Sequence, residues 1–371
     1  MLNSCAFIVI DSGFSREILT QSKVPEYERK GFKVIAAWDL PRDKKFEASD
    51  CLSEHQIDEF GSDPMGHGTI VLEKLLNCVP DAKLILVKAF TSNEVCRTVW
   101  NAGEIAEPGW TEAYVWAVEQ AKSRGMVSVA NCSFGGVSHA LDGTGWEAHQ
   151  VSRCTGAGKP GHVLVAAAGT GDGRATHGSL TLLDGENKSF VADQDSDCEY
   201  NVWFGLNQIP PYGSRWQLEA WQNGAMVYSA DSDSVPGNMW NGRQQLKFRL
   251  WGSSRVEIDV RREGGWQYED GENPGLKVDV YVEGARFRNW VSSELIPEPA
   301  CFPAVIAVGL QASIYSARQT ELDRKPDILL PGSGQISFRI PEIAAAVGQL
   351  LARHPRLDVD GVRAILGKFP Q

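Results

Sequence analysis

The sequence predicts an α/β protein with a doubly wound, mostly parallel sheet, helices on both faces, and an antiparallel β-sandwich inserted into it. Three observations predict this. Short apolar runs alternate with helical stretches at first, period-two alternation replaces them from about residue 178, and the α/β pattern resumes after residue 299. Continuous apolar runs indicate strands buried on both faces, whereas alternation indicates strands with one solvated face.

The first part of the chain carries five predicted buried strands. They span residues 7–10, 33–37, 84–88, 127–132 and 163–167. Helices are predicted over 67–76 and 111–123, because apolar residues recur there three or four positions apart. Strands that alternate with helices in this way are typical of a parallel sheet with crossover helices.

The inserted sandwich is predicted from the segments SRWQLEAW, QQLKFRLWG, SRVEIDVRR and LKVDVYVEG, which alternate apolar and polar residues. Seven of the twelve tryptophans fall in this stretch, which suits a sandwich core built with large aromatic side chains. The run PAVIAVGL then predicts another buried strand, and an apolar helix follows KPDILLPG. We therefore expect an α/β domain formed by residues 1–177 and 300–371, and a β domain formed by residues 178–299.

Composition excludes several functional classes. The chain has 371 residues, 43% of them hydrophobic, and a formal net charge of −11, which disfavours nucleic acid as a partner. The apolar run at the N-terminus is short and follows no Lys or Arg, and no run approaches the roughly 18 residues of a membrane span. The eight cysteines form no C-x-x-C pair, so we expect free thiols, a cytoplasmic location and no membrane partner.

Three segments carry the residue types that nucleophilic catalysis needs. Asp11 ends the first predicted strand, where a carboxylate can orient and stabilise an imidazole. His67 lies between two glycines at a helix start, where it can act as general base and then general acid. Ser337 is predicted at the N-terminus of the last long helix, whose positive end favours a developing oxyanion. Each signal is also found at ordinary turns and caps, so their combination is what predicts a triad.

At these residues the chain resembles the subtilase family of serine peptidases. The family has D-[ST]-G, H-G-T and G-T-S-x-A-x-P in this order, and the chain has Asp11-Ser12-Gly13, His67-Gly68-Thr69 and Ser337 through Pro341. NCSFGG at 131–136 resembles the family's substrate-binding strand, VLVAAAGTGDG at 163–173 its oxyanion segment, and KPDILLPG the stretch before the nucleophile. The resemblance implies a subtilisin-like fold over residues 5–177 and 300–367. The inserted segment matches only in its placement, which is similar to that in clostridial spore-germination subtilases.

Two departures from the family pattern bear on activity. The small residues around the nucleophile are replaced by Gln335, Ile336, Phe338 and Arg339. In the oxyanion segment the family's Asn is replaced by Thr170. Loss of that donor costs about 10²- to 10³-fold in turnover in subtilisin itself. The resemblance implies an oxyanion hole formed by the Thr170 hydroxyl and the Ser337 N–H, unless Thr170 is only a turn residue.

The resemblance also implies how substrate binds. Ser133, Phe134 and Gly135 would present backbone groups to an extended peptide, which would add as a strand. Asp172 would favour Lys or Arg before the cleaved bond, although a solvated loop carboxylate is the alternative interpretation. No acidic cluster matches the family's calcium sites, so neither a metal nor a cofactor is expected.

We therefore predict a serine endopeptidase that cleaves a restricted peptide or protein substrate through an acyl-enzyme intermediate. Asp11 lies ten residues from the start, so we expect a regulatory partner or the inserted segment to replace the family's propeptide. The alternative is a pseudoprotease that binds peptides in a degenerate cleft. An α/β-hydrolase is poorly supported, because no G-x-S-x-G surrounds Ser337 and that class orders its triad Ser, Asp, His.

Overall fold

The computed structural model describes residues 4–22, 30–91, 94–101, 104–136, 143–169, 176–194, 198–206, 208–210, 213–237, 242–252, 255–264, 275–283, 285–291, 296–311, 325–332 and 334–367. Within these ranges no helix is both long enough and apolar enough to span a bilayer.

The strands fall into three groups along the chain. Those before the inserted segment are β1 (Cys5–Asp11), β2 (Lys33–Asp39), β3 (Lys44–Glu47), β4 (Lys83–Lys88), β5 (Phe90–Thr91), β6 (Glu94–Val95), β7 (Val99–Asn101), β8 (Glu104–Glu107), β9 (Val127–Cys132) and β10 (His162–Ala167). Those in and next to it are β11 (His177–Leu182), β12 (Asn187–Gln194), β13 (Cys198–Leu206), β14 (Arg215–Gln222), β15 (Ala225–Asp231), β16 (Gln245–Gly252), β17 (Val256–Glu263), β18 (Leu276–Glu283) and β19 (Ala285–Phe287). Those after it are β20 (Ile306–Leu310) and β21 (Ile328–Leu330).

The α-helices precede and follow the inserted segment. They are α1 (Arg16–Thr20), α2 (Glu54–Phe60), α3 (His67–Cys78), α4 (Trp110–Lys122), α5 (Trp146–Cys154), α6 (Ile340–Arg353) and α7 (Val359–Leu366). Two short 3₁₀ turns cover Leu40–Arg42 and Ile336–Phe338.

The centre of the α/β part is an eight-stranded sheet in the order β21-β20-β10-β9-β1-β4-β2-β3. All its pairings are parallel except that of β2 with β3. Every residue of β1 and of β10 is buried, because α3 and α6 contribute to the core on one face of the sheet and α4 and α5 to the core on the other. The prediction of a mixed α/β fold is therefore confirmed. The carboxyl ends of the parallel strands meet at one edge of the sheet.

The inserted strands form two antiparallel sheets in the orders β11-β18-β13-β16 and β15-β14-β17-β12-β19. Their burial alternates as the sequence pattern predicts: in β14, Trp216, Leu218 and Ala220 are fully buried while Gln217 is exposed. The inward residues of both sheets share a hydrophobic core that is separate from the two cores of the parallel sheet. This arrangement is that of two sheets packed face to face.

Candidate active site

Asp11 and His67 are hydrogen-bonded at the carboxyl edge of the parallel sheet. Asp11 is the last residue of β1 and is 1% exposed, and His67 is the first residue of α3. The His67 Nδ1–H donates to Asp11 Oδ1 at 2.7 Å, and the Ser12 N–H donates to the same oxygen at 2.7 Å. The bond fixes the tautomer, so that the other ring nitrogen, Nε2, carries a lone pair that can accept a proton.

Two glycines allow the segments that carry Asp11 and His67 to touch. A Cβ on Gly68 would lie 2.2 Å from the Gly13 carbonyl oxygen and 3.0 Å from Asp11 Cβ. Gly13 has a φ of +135°, which favours glycine, and a Cβ there would lie 2.2 Å from the Ser62 oxygen. The sequence needs glycine at both positions because backbone meets backbone there.

The environment of His67 raises the pKa of its imidazole above the ordinary value of 6.5. The largest cause is the hydrogen bond to Asp11; partial burial opposes it, and the negative charges of Asp11 and Asp63 add to it. Nearby Cys132, the last residue of β9, has a thiol whose pKa is raised well above its usual range by burial and by the charge of Asp11. A thiol that stays protonated is a poor nucleophile, so the environment of Cys132 does not activate its thiol.

Ser337 lies in the 3₁₀ turn Ile336–Phe338 and not, as the sequence predicted, at the start of the long helix. The α-helix α6 begins three residues later at Ile340, with Pro341 in its first turn. Proline is suited to that turn because it has no N–H to donate. The 3₁₀ turn has its own hydrogen bonds, from the Phe338 N–H to the Gln335 oxygen at 3.3 Å and from the Arg339 N–H to the Ile336 oxygen at 2.8 Å.

Side-chain and ring contacts bring Ser337 into the same site as Asp11 and His67. The Ser133 hydroxyl donates to the Ser337 carbonyl oxygen at 2.8 Å and accepts from the Asn131 amide at 3.0 Å. The Phe338 ring lies against the His67 ring, with centroids 5.5 Å apart. Among the described residues, no hydrogen bond joins His67 Nε2 to the Ser337 hydroxyl. Such bonds are often long without substrate.

In the predicted substrate strand, some backbone groups have no hydrogen-bond partner among the described residues. Ser133 is buried and uses its hydroxyl as described above, and the Phe134 ring packs edge-on against Trp110. The backbone groups of Phe134 and Gly135 form no hydrogen bond with the described parts of the chain. The next residue, Gly136, already exchanges two backbone hydrogen bonds with Glu298, at 3.1 and 3.0 Å.

The remaining predicted site residues, Thr170 and Asp172, lie outside the described residues. The segment that leads to them is described as far as Gly169. Ala168 in it is buried, and its N–H donates to the Val308 oxygen at 2.8 Å. In the described ranges, no group of three or more His, Cys, Asp or Glu side chains is placed to hold a metal ion.

Sequence reasoning missed three residues that contact the site. Asp63 accepts hydrogen bonds from the segment that carries Asp11 and from the one that carries His67. Phe338 lies against the His67 ring, and Asn131 donates to the Ser133 hydroxyl. Asp63 lies four residues before His67, in a stretch that resembles an ordinary polar loop. The sequence therefore gave no signal that it contacts the site. Asn131 and Phe338 fall inside motifs that were identified, so closer attention to the neighbours of Ser133 and Ser337 would have found them.

Comparison with known proteins shows a likeness of fold. No family model and no curated sequence matches the chain. Its structure is similar to that of the CspB protease of Clostridium perfringens, with a TM-score of 0.66 and 14% identity over 99% of this chain and 87% of that one. A lanthipeptide protease (TM-score 0.27, 18% identity, 44% of this chain and 39% of that one) also matches, but this TM-score carries no argument. The chain therefore has the general fold of a clostridial protease, and at this identity the likeness does not extend to function.

Proposed function

We propose that the protein is a serine endopeptidase of subtilisin type, with Asp11, His67 and Ser337 as its triad. The observation that carries the proposal is the hydrogen bond between the buried Asp11 and the half-buried His67, next to the turn that holds Ser337. A carboxylate bonded to an imidazole, with a serine in the neighbouring turn, supplies the residue types that acyl transfer needs. The fold shared with a protease agrees with this function without establishing it.

In the proposed mechanism His67 moves one proton in each half-reaction. Nε2 takes the proton from the Ser337 hydroxyl while its oxygen bonds to the peptide carbonyl carbon. Asp11 stabilises the imidazolium that results, and Nε2 then gives the proton to the leaving amine as the C–N bond breaks. Water, deprotonated by the same nitrogen, attacks the acyl-enzyme, and the proton returns to Ser337 as the acid leaves.

The developing oxyanion would be bound by the Ser337 N–H and the Thr170 hydroxyl. The Ser337 N–H is free of hydrogen bonds in the described parts of the chain, because the bonds of its turn come from Phe338 and Arg339. The bond from Ser133 holds the Ser337 carbonyl in place, which fixes the direction of the adjoining backbone. Preorganised donors of this kind account for much of the stabilisation in acyl transfer.

The unpaired backbone of Phe134 and Gly135 supports an extended peptide as the substrate. Strand addition uses backbone hydrogen bonds and leaves alternate side chains to select the sequence. We retain Asp172 as the proposed determinant for a basic residue before the cleaved bond. We also propose a cytoplasmic enzyme with an inserted domain over residues 178–299, restrained by that domain or by a partner protein.

A fluorophosphonate probe tests the proposed nucleophile. It should label the wild-type protein, and mass spectrometry of the digest should place the adduct on Ser337. Ser337→Ala should abolish labelling, whereas Ser123→Ala, at the exposed end of α4, should leave it unchanged. The proposal fails if the wild-type protein is not labelled under any activating condition in which a known subtilase is labelled.

A pseudoprotease that binds peptides is the second candidate. It is favoured by the Phe338 ring against His67 and by the missing hydrogen bond between His67 and Ser337 in the described structure. Thr170→Asn restores the donor found in the family and separates the two functions. A marked gain in peptide hydrolysis supports a weak enzyme, and peptide binding without any hydrolysis in either protein supports the pseudoprotease.

A further inference from the structure

Asp63 joins the two segments that carry the catalytic carboxylate and imidazole. Its Oδ1 accepts from the Ser12 hydroxyl at 2.8 Å and from the Gly66 N–H at 3.0 Å. Its Oδ2 accepts from the Thr69 N–H at 2.8 Å and from the Thr69 hydroxyl at 2.7 Å. Ser12 follows Asp11, and Gly66 and Thr69 flank His67, so that one carboxylate connects the end of β1 to the start of α3.

The bonds of Asp63 continue beyond its own oxygens. The Ser12 hydroxyl, while donating to Asp63, accepts from the Gly68 N–H at 3.0 Å. The Thr69 hydroxyl accepts from the Ser15 N–H at 2.9 Å. The first four N–H groups of an α-helix lack partners within the helix, and here those of Gly68 and Thr69 are satisfied by this network. The position of His67 at the start of α3 therefore depends on Asp63.

We propose that Asp63 is a positioning residue, which holds the Asp11–His67 pair in its catalytic geometry and adds a second negative charge beside the imidazole. Its hydrogen bonds in the described structure go to Ser12, Gly66 and Thr69, and not to the proposed reacting groups. The inference rests on the proposed peptidase function, because it assigns Asp63 a role in the same site.

Charge and packing around His67 agree with this role. The acidic groups that act on the ring are Asp11 from β1 and Asp63 from the loop before α3, and both favour the protonated imidazole. The 3₁₀ turn on the other side presents the uncharged Phe338 ring. The pKa of His67 is therefore expected to fall when the charge of Asp63 is removed.

The test compares Asp63→Asn with Asp63→Glu in the full chain. The amide removes the charge and turns one acceptor into a donor that faces other donors, whereas the longer carboxylate keeps the charge but displaces it. For Asp63→Asn we expect kcat to fall about tenfold or more, as lost bonds to a charged group imply, with KM changed less than about twofold. In NMR the His67 ring should titrate at lower pH. Asp63→Glu should keep the titration near that of the wild type while kcat falls.

The matched control is Asp58→Asn, an exposed carboxylate on α2 that pairs with Arg16, and it should leave both readouts unchanged. A folded Asp63→Asn variant with the wild-type His67 titration and kcat would overturn the proposal. If Asp63→Asn does not fold, Asp63→Glu decides: an unchanged kcat would overturn the proposal. The NMR readout needs no turnover, so a lowered His67 pKa in a protein without peptidase activity would support the positioning role and refute the enzyme.

Discussion

At the scale of single residues, the environment of His67 both raises and lowers the pKa of its imidazole. Its bond to Asp11 and two negative charges favour the imidazolium, and partial burial favours the neutral ring; the balance raises the pKa above 6.5. The stability that this pair contributes is complete below pH 6.5 and is lost as pH rises through the raised pKa. Catalysis has the opposite dependence, because a general base must be neutral to accept a proton.

Asp11→Asn should move the titration of the His67 ring to lower pH, because it replaces the carboxylate whose hydrogen bond and negative charge both raise the pKa of the ring. If the proposed triad is catalytic, it should also lower kcat by about 10⁴-fold, as the same change does in the chymotrypsin-type triad. NMR titration of the ring and initial rates measure the two effects. Asp43→Asn, which changes an exposed carboxylate, serves as the control, and a ring that titrates as in the wild type would contradict the assignment.

The sequence predicted that Asp11 and His67 act together, because their segments occur in the order of a triad and resemble those of a known family; the glycines that the contact needs are evident only from the structure. It could not predict that Phe338 would lie on the imidazole or that Asp63 would connect the two segments. Both depend on how the 3₁₀ turn and the loop before α3 fold back on the sheet, and local sequence carries no signal for such contacts. Thr170 and Asp172 lie outside the described residues, so their roles in the oxyanion hole and in substrate binding stay predictions.

At the scale of elements, the predicted strands and helices of the parallel sheet agree with the structure to within a few residues. Continuous apolar runs such as β1 and β10 are buried throughout, and a core on either face leaves little freedom in where they begin. The small hairpins β5–β6 and β7–β8 were missed, because strands of two to four residues are too short to show a period. Ser337 was misplaced because Pro341 fits the first turn of a helix, which therefore starts after the serine and not at it.

Gly348 lies at a close contact between α6 and the sheet. A Cβ at this position would lie 2.4 Å from the Phe7 ring and 3.1 Å from the Val129 side chain. Helix propensity alone predicts that Gly348→Ala stabilises the protein by about 1 kcal/mol. We expect a net loss of about 1–3 kcal/mol instead, because the added methyl overpacks a full core.

Urea denaturation of Gly348→Ala and of the wild type measures the change in the free energy of unfolding, and so shows whether helix propensity or overpacking dominates. The control is Ala346→Gly at an exposed position of α6, which should cost about 1 kcal/mol through propensity alone. A Gly348→Ala variant more stable than the wild type would show that α6 can move away from β1 without cost.

At the scale of the whole molecule, the described residues form three hydrophobic cores, two on the faces of the parallel sheet and one inside the β-sandwich. The sequence predicted the sandwich from alternation but not its strand order, because alternation assigns the faces of a strand and not its neighbours. β13 pairs with β16 and β18, which are distant from it in the chain, and only tertiary packing selects such partners.

A fragment of residues 176–291 should fold by itself, because its two sheets share a core to which no strand of the parallel sheet contributes. Far-ultraviolet circular dichroism should show a β spectrum, and heating should give one cooperative transition. A matched fragment of residues 4–169, which lacks β20, β21 and α6, should not unfold cooperatively, since strands and a helix of its sheet are missing. A residue 176–291 fragment without a transition would contradict an independent sandwich core.

The position of the sandwich in the chain also determines how long after His67 the ribosome synthesises Ser337. Ser337 follows His67 by 270 residues (337 − 67), and β20 and β21 must wait for the sandwich to be made before they can pair beside β10. At about 5–20 residues per second, the ribosome needs roughly 15–50 s to cover that interval. A nascent chain therefore contains the proposed base and its carboxylate well before the proposed nucleophile is synthesised, so the chain order would delay any hydrolysis until Ser337 and the helix after it have been made.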